Sequence, residues 1–308
     1  MSGAAISIDG LTKRYGDRNV VDGLSLSVDT GSIFGFLGPN GSGKSTTIKM
    51  LCGLVRPDGG HASVAGHDVE SAGDAVRQSI GYLAQGFALY PDLTVDENLE
   101  FYARAYGLGK NAEARKRVVI DVVGIGRYRN YLGASLSGGW QRRLALAAAL
   151  IHDPPVVFLD EPTSGIDPVA RRDLWDLLFR LTVSGKTFFV TTHYMDEAER
   201  CTSLAYIFDG KLLASGSPDE ICSLPAVTPE GTTRYAIATE DVMRAFERVR
   251  QLTNVHDATI FGRDIHVVVD AGSSASDMAR DLGLESERVS AIKPSLEDAF
   301  VALTRSSN

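Results

Sequence analysis

Residues Gly38-Pro39-Asn40-Gly41-Ser42-Gly43-Lys44-Ser45 constrain this chain more than any other stretch. They fit G-x-x-x-x-G-K-[ST], a loop whose backbone N–H groups wrap phosphate oxygens. The chemistry explains the spelling. Glycines let the backbone turn tightly and approach anionic oxygens, Lys44 brings charge to the β- and γ-phosphates, and the Ser45 hydroxyl suits Mg²⁺. Such a pattern needs a buried strand before it and a helix after it. Ile33 to Leu37 is a compact apolar run, and Ser45, Thr46 and the residues on to Leu54 read as a helix whose positive end faces the anion. Strand, loop and helix together predict an α/β nucleotide-binding core.

A second apolar run, Val156 to Leu159, follows Asp153-Pro154-Pro155 and ends in two carboxylates, Asp160 and Glu161. Bare runs of this kind are buried on both faces in parallel sheets. Alone, the acidic pair reads equally well as a solvated strand end. Beside a phosphate loop, Asp160 is expected to hold Mg²⁺ through water. Glu161 then stands where a general base takes the proton of an attacking water, a role worth roughly 10²- to 10⁴-fold in rate.

Around these motifs the pattern is that of a globular α/β chain. Ile6, Ile8 and Leu11, then Leu24, Leu26 and Val28, alternate with polar residues, which predicts an antiparallel edge layer with turns at Asp22-Gly23 and Thr30-Gly31. Thr94 and Glu97 form a capping box that opens a mostly helical insert, about 87–152. Helix is expected over Pro168 to Val183, strand over Thr187 to Thr192, a short helix over Met195 to Cys201, and a hairpin over Leu204 to Ala214 turned at Asp209-Gly210. With 308 residues the chain has room for two domains. The first is expected over 1–223, a Pro- and Gly-bearing linker over 224–233, and a small α/β domain without a catalytic motif over 234–308.

Charge and composition narrow the partners. The 31 Lys and Arg against 39 Asp and Glu leave a formal charge of -8, which opposes a broad grip on nucleic acid, so no nucleic acid is expected. Apolar stretches such as Leu144 to Ile151 fall far short of the roughly 20 residues that span a bilayer. Met1 to Asp9 lacks a secretory pattern, and Cys52, Cys201 and Cys222 form no C-x-x-C pair; both point to the cytoplasm.

Leu136-Ser137-Gly138-Gly139-Trp140-Gln141-Arg142-Arg143, placed between the phosphate loop and the acidic strand, resembles the signature motif of ABC ATPases. The resemblance implies a fold: a P-loop NTPase core of the ABC type with an antiparallel edge layer and a helical subdomain. It also implies that the signature of one subunit closes over the γ-phosphate of ATP held by another, in a head-to-tail dimer. Ser137 and the glycines precede an expected helix, Trp140 to Ile151, whose N-terminus favours an anion. Trp140 departs from the commoner glutamine and is similar to signatures of some drug-export ABC ATPases.

The other family positions follow one by one from the resemblance. Tyr15 resembles the aromatic that stacks on adenine, and Gln85 the glutamine that contacts Mg²⁺ and the water. Ser164 and Asp167 resemble the loop that links the two sites across the dimer, and His193 the histidine that reaches the γ-phosphate. Catalysis is thereby expected from Glu161, His193, Gln85 and Lys44, with Ser45, Gln85 and Asp160 around Mg²⁺. Lys293-Pro294-Ser295-Leu296-Glu297-Asp298-Ala299-Phe300 resembles the ending of ATPases of the ABC-2 exporter group.

The implied protein is an ATP-hydrolysing subunit, homodimeric or paired with a second such subunit. It would be peripheral on the inner face of the membrane and would drive export through a separate polytopic permease. An importer subunit and a soluble, non-transport ABC ATPase remain alternatives. The soluble class usually joins two ATPase domains or inserts a long coiled coil, and this chain shows neither. A groove for the permease is expected along Gln85 to Tyr106, with Phe87, Leu89, Tyr90, Phe101 and Tyr102.

Overall fold

A computed structural model describes residues 3–86 and 89–306. It divides into two compact units, Met1–Ser217 and Pro218–Asn308.

The first unit opens with β1 (Ala4–Tyr15), β2 (Arg18–Asp29), β3 (Ile33–Leu37) and α1 (Lys44–Leu51). There follow β4 (Gly59–Val64), β5 (His67–Asp68), α2 (Gly73–Ser79) and β6 (Ile80–Leu83). The helical insert comprises α3 (Val95–Ala105), α4 (Ala112–Val123) and α5 (Gly138–Leu150). The unit then returns to β7 (Val156–Asp160), α6 (Pro168–Val183), β8 (Thr187–Thr192), α7 (Met195–Ala198), β9 (Ser203–Phe208) and β10 (Lys211–Gly216).

Two sheets result. One, ordered β2-β1-β4-β5, is antiparallel. The other, ordered β10-β9-β3-β8-β7-β6, is parallel from β9 to β6. Every residue of β3, β7 and β8 is buried, because both faces of this sheet are covered. The period-2 alternation of a strand divides their side chains between two cores. Phe34, Phe36, Phe158 and Phe189 join Ile48 of α1 and the inner face of the antiparallel layer. Ile33, Val157, Leu159, Phe188 and Val190 join the helical insert and α6.

One turn falls elsewhere than the sequence predicts. Asp22-Gly23 lies inside β2, and the hairpin reverses instead between Tyr15 and Arg18. Between the pairs Leu11↔Leu24 and Lys13↔Val21, Asp22 and Gly23 stand opposite Thr12 alone, which makes a β-bulge. Gly23 takes φ 62 there, and its N–H donates to Thr12 Oγ1 at 3.0 Å. An Asp-Gly pair supplies positive φ, which bulges and hairpin turns both require.

At the insert, Thr94 and Glu97 form the expected capping box of α3. Asn98, fully buried, donates to the carbonyls of Tyr90, Leu93 and Thr94 and so fixes the loop before that helix. After α5, His152 donates from Nε2 to Ile80 O at 2.9 Å and stacks on Tyr106 with ring centres 3.6 Å apart. Burial pulls the His152 pKa from 6.5 down to about 4. Between those values the unfolded chain binds a proton that the folded chain refuses, so stability falls as pH drops through this window. Melting temperatures at pH 7 and pH 5 are expected to differ less for His152→Gln, which keeps a donor but does not titrate, than for the natural protein. An equal difference in both would remove His152 from the account.

The second unit contains α8 (Pro218–Cys222), β11 (Thr232–Ala238), α9 (Val242–Val249), β12 (Val255–Phe261), β13 (Asp264–Asp270), α10 (Ala275–Leu282), β14 (Val289–Ala291) and α11 (Leu296–Ser306). Its sheet, ordered β12-β13-β11-β14, is antiparallel throughout. This βαββαβ arrangement is ferredoxin-like. Tyr235, Ile237, Ile265, Val267 and Val269 bury one face against α9 and α10. Asp298 near the start of α11 accepts from Arg234 at 3.0 Å and lies 3.2 Å from His266 Nδ1. Its backbone N–H donates to Ser295 Oγ, so the Lys293 to Phe300 ending caps and anchors α11 within this unit.

Candidate active site

Strand β3 delivers Gly38, and α1 begins at Lys44, one residue before the predicted start. The glycines between them are demanded by space and by backbone. A Cβ on Gly38 would stand 2.2 Å from the Ile207 carbonyl oxygen, and one on Gly43, at φ 107, would stand 2.5 Å from that of Val20. The loop closes around Lys44, whose ammonium donates to Gly38 O at 2.8 Å and Pro39 O at 3.0 Å. Burial lowers the Lys44 pKa, while Glu161 and Asp160 raise it.

The acidic strand end lies beside this loop. Asp160 Oδ1 accepts from Ser45 Oγ at 3.3 Å and from Thr191 Oγ1 at 2.7 Å. Thr191 Oγ1 in turn accepts from the Glu161 N–H at 2.9 Å. Glu161 takes φ 48, a left-handed conformation that costs a non-glycine residue about 1–3 kcal/mol unless its surroundings enforce it. Gln85 Nε2 donates to Glu161 Oε2 at 2.8 Å. Lys44 Nζ lies 3.9 Å and His193 Nδ1 3.4 Å from Glu161 Oε1. The His193 contact is proximity without hydrogen-bond geometry: His193 Nδ1 and Ser42 Oγ are buried with no hydrogen-bond partner among the described residues.

A cavity of about 270 Å³ gathers Val20, Asn40, Gly41, Gly43, Lys44, Ser45, Thr46, Gln85 and Glu161. Most of the predicted phosphate loop, with Gln85 after β6 and Glu161 after β7, thus lines one cavity, whereas Gly38, Pro39, Ser42 and His193 are not in its lining. Tyr15 is not in that lining; it ends β1, half exposed, with Lys13 Nζ 5.5 Å from its ring centre. A larger cavity of about 510 Å³ near Gly53 and Arg77 holds none of these residues, and its arginines pair with Glu70 and Asp74.

The signature stands apart from this cavity. Helix α5 starts at Gly138, two residues before the predicted Trp140, with Ser137 at the N-cap position but its hydroxyl not used as a cap. A Cβ on Gly139 would approach Ala170 Cβ to 2.8 Å, so the turn packs tightly on α6. Leu136 is buried, and Gln141 Nε2 donates to Gly133 O. Trp140 turns away from the helix start into the insert: its ring lies 4.7 Å from that of Tyr128, with Arg127 and Arg143 4.9 and 5.1 Å from its centre. Asp167 caps α6 by accepting from Val169 N and Ala170 N, and Ser164 N donates to Glu161 O at 3.2 Å.

Along the expected groove, Phe87 lies outside the described residues and Leu89 is buried. Tyr90 and Phe101 are exposed with ring centres 4.6 Å apart, and Tyr102 meets Phe101 at 5.5 Å. Three polar residues at the site escape sequence reasoning. Thr191 bridges the two carboxylate residues. Fully buried Glu197 accepts from Thr192 Oγ1 at 2.6 Å and from Thr163 Oγ1. Arg142 donates to Ala84 O and Ser164 O. The one available signal was the pair of hydroxyls, Thr191-Thr192, at the end of an otherwise apolar strand, since buried hydroxyls need partners.

Known proteins resemble this chain in sequence and in fold. Residues 21–164 match the family model described as ABC transporter. The Nod factor export ATP-binding protein I of Burkholderia orbicola is 46% identical over 222 residues, covering 71% of this chain and 72% of that protein. The daunorubicin resistance ATP-binding protein DrrA3 of Streptomyces coeruleorubidus is 37% identical over 309 residues, covering 99% and 97%. The probable multidrug ABC transporter ATP-binding protein YbhF of Escherichia coli is 45% identical over 212 residues, but the match spans 68% of this chain and only 37% of that protein. Among solved structures, an ATP-binding subunit of an ABC transporter superposes with a TM-score of 0.64 at 30% identity, over 70% of this chain and 91% of that one. A dimeric ATP-binding cassette in a post-hydrolysis state with ADP and Pi superposes with a TM-score of 0.63 at 27% identity, over 69% and 98%. With its phosphate loop, acidic strand end and signature all set in this fold, the chain belongs to the ATP-binding subunits of ABC transporters.

Proposed function

We propose that this subunit binds and hydrolyses ATP as a head-to-tail dimer and so drives export through a polytopic membrane permease. The observation that carries the reading is the placement of Glu161. Its carboxylate is held by Gln85 next to Lys44, Ser45 and Asp160, inside a cavity that the signature of the same chain does not line. A second subunit is needed to bring a signature to the phosphates.

Within that reading, Lys44 and the loop N–H groups bind the β- and γ-phosphates. Glu161 accepts the proton of the attacking water, which Gln85 orients, and His193 meets the γ-phosphate. Ser42 Oγ and His193 Nδ1 are each buried without a hydrogen-bond partner among the described residues, which suits polar atoms that meet a ligand. Ser45, Asp160 and the Gln85 amide oxygen form an all-oxygen donor set with a single carboxylate, which fits Mg²⁺ completed by phosphate and water. When bound, Mg²⁺ neutralises charge on the phosphate oxygens. Tyr15, exposed at the end of β1, is the adenine platform. Ser137, Gly138 and Gly139 receive the partner's γ-phosphate at the start of α5, and Ser164 and Asp167 lie on the dimer face.

No helix among the described residues is long and apolar enough to cross a membrane. The relatives named for Nod factor export and daunorubicin resistance support export as the direction. Tyr90, Phe101 and Tyr102 form the permease groove, and the second unit acts as an accessory domain. The test is to tag Glu161→Gln, solubilise membranes with ATP and Mg²⁺, and identify what co-purifies. A polytopic membrane protein near one-to-one is the expected result; ribosomes or DNA-bound proteins in its place would overturn the transporter reading.

A further inference from the structure

Arg142 lies near the start of α5, and its guanidinium reaches carbonyls of two different loops. One terminal nitrogen donates to Ala84 O and the other to Ser164 O, both at 3.3 Å. Arg142 also lines a cavity of about 170 Å³ together with Gly86, other residues of α5 and the loop Ser164 to Ile166. Ala84 immediately precedes Gln85, which donates to the Glu161 carboxylate. Ser164 donates its backbone N–H to the Glu161 carbonyl at 3.2 Å. The contacts therefore close a circuit: Arg142 to Ala84, Gln85 to the Glu161 side chain, Glu161 backbone to Ser164, and Ser164 back to Arg142. Glu161 is the point on that circuit with a left-handed backbone, the kind of conformation that persists only where neighbours over-determine it.

We propose that Arg142 is a positioning residue for hydrolysis, which holds the loop carrying Gln85 and the loop carrying Ser164 in register around Glu161 and ties both to the signature helix. The inference rests on the reading of Glu161 as the general base. Its chemistry depends on the planar fork of arginine, which gives two donors in fixed geometry to two acceptors about a guanidinium apart. Lysine keeps the charge and most of the stem but offers a single nitrogen. Lysine in its place carries its donors on one freely rotating nitrogen and cannot present the rigid fork that now meets the two carbonyls.

The test uses the full chain with Arg142→Lys and Arg142→Ala, and Glu161→Gln as reference. ATP affinity is measured by titration, kcat and KM by steady-state hydrolysis, and folding by melting. Both Arg142 variants are expected to lower kcat at least about 10-fold, because small displacements of a positioned base are costly, while ATP affinity stays within about 2-fold. The lysine variant keeps a positive charge beside the cavity and is expected to melt like the natural protein. Wild-type kcat in Arg142→Lys, or a fall in rate matched by an equal loss of ATP affinity, would overturn the proposal while leaving Glu161 in place. Wild-type hydrolysis by Glu161→Gln would overturn the reading beneath it.

Discussion

Glu161→Gln is expected to bind ATP with unchanged affinity and to hydrolyse it at least roughly 10²-fold more slowly. The amide has the shape of the carboxylate and can still accept from Gln85 Nε2, so the contacts around it survive. What it lacks is the basicity to take a proton from water. The left-handed backbone at Glu161 belongs to the position and not to the side-chain charge, so the variant folds as before. Single-turnover hydrolysis together with equilibrium ATP binding separates the two quantities. A near wild-type rate would move the base to another residue, with His193, 3.4 Å from the Glu161 carboxylate, the first candidate.

Lys44→Ala is expected to act on binding itself. The ammonium is 5% exposed, so it meets a phosphate with little competition from water. A charge-assisted hydrogen bond at such a site is worth about 1.5–3 kcal/mol, which corresponds to roughly 10- to 100-fold in Kd. The same substitution frees the carbonyls of Gly38 and Pro39 that Lys44 now binds, so the loop loses internal support as well as charge. Titration with ATP would reveal the loss, and an unchanged Kd would refute the role of Lys44.

The parts of this structure that the sequence announces are those whose causes are local. Ile33 to Leu37, Pro168 to Val183 and Thr187 to Thr192 appear with the predicted limits, since an apolar run or a capped, periodic stretch defines itself. Asp22-Gly23 misleads because the same local chemistry serves a bulge and a turn, and only pairing with β1 chooses between them. In the second unit the alternation of strands and helices is readable, but the order β12-β13-β11-β14 is set by pairings between distant segments. The site divides in the same way. The phosphate loop and the acidic pair are read from spacing and chemistry, and the signature, Gln85 and His193 from resemblance to a family. Arg142 meets carbonyls far along the chain and carries no local mark, and Glu197 joins nearby Thr192 to distant Thr163, a pairing that only the fold creates.

The central claim is that ATP joins two of these subunits through the signature. It is tested most directly by the mass of Glu161→Gln in solution, by light scattering during gel filtration, with and without ATP and Mg²⁺. The account predicts a monomer that becomes a dimer with ATP, and that Ser137→Glu, which places a negative charge at the start of α5, still binds ATP but stays monomeric. An ATP-saturated Glu161→Gln that remains monomeric, or a Ser137→Glu form that dimerises as readily, would contradict it.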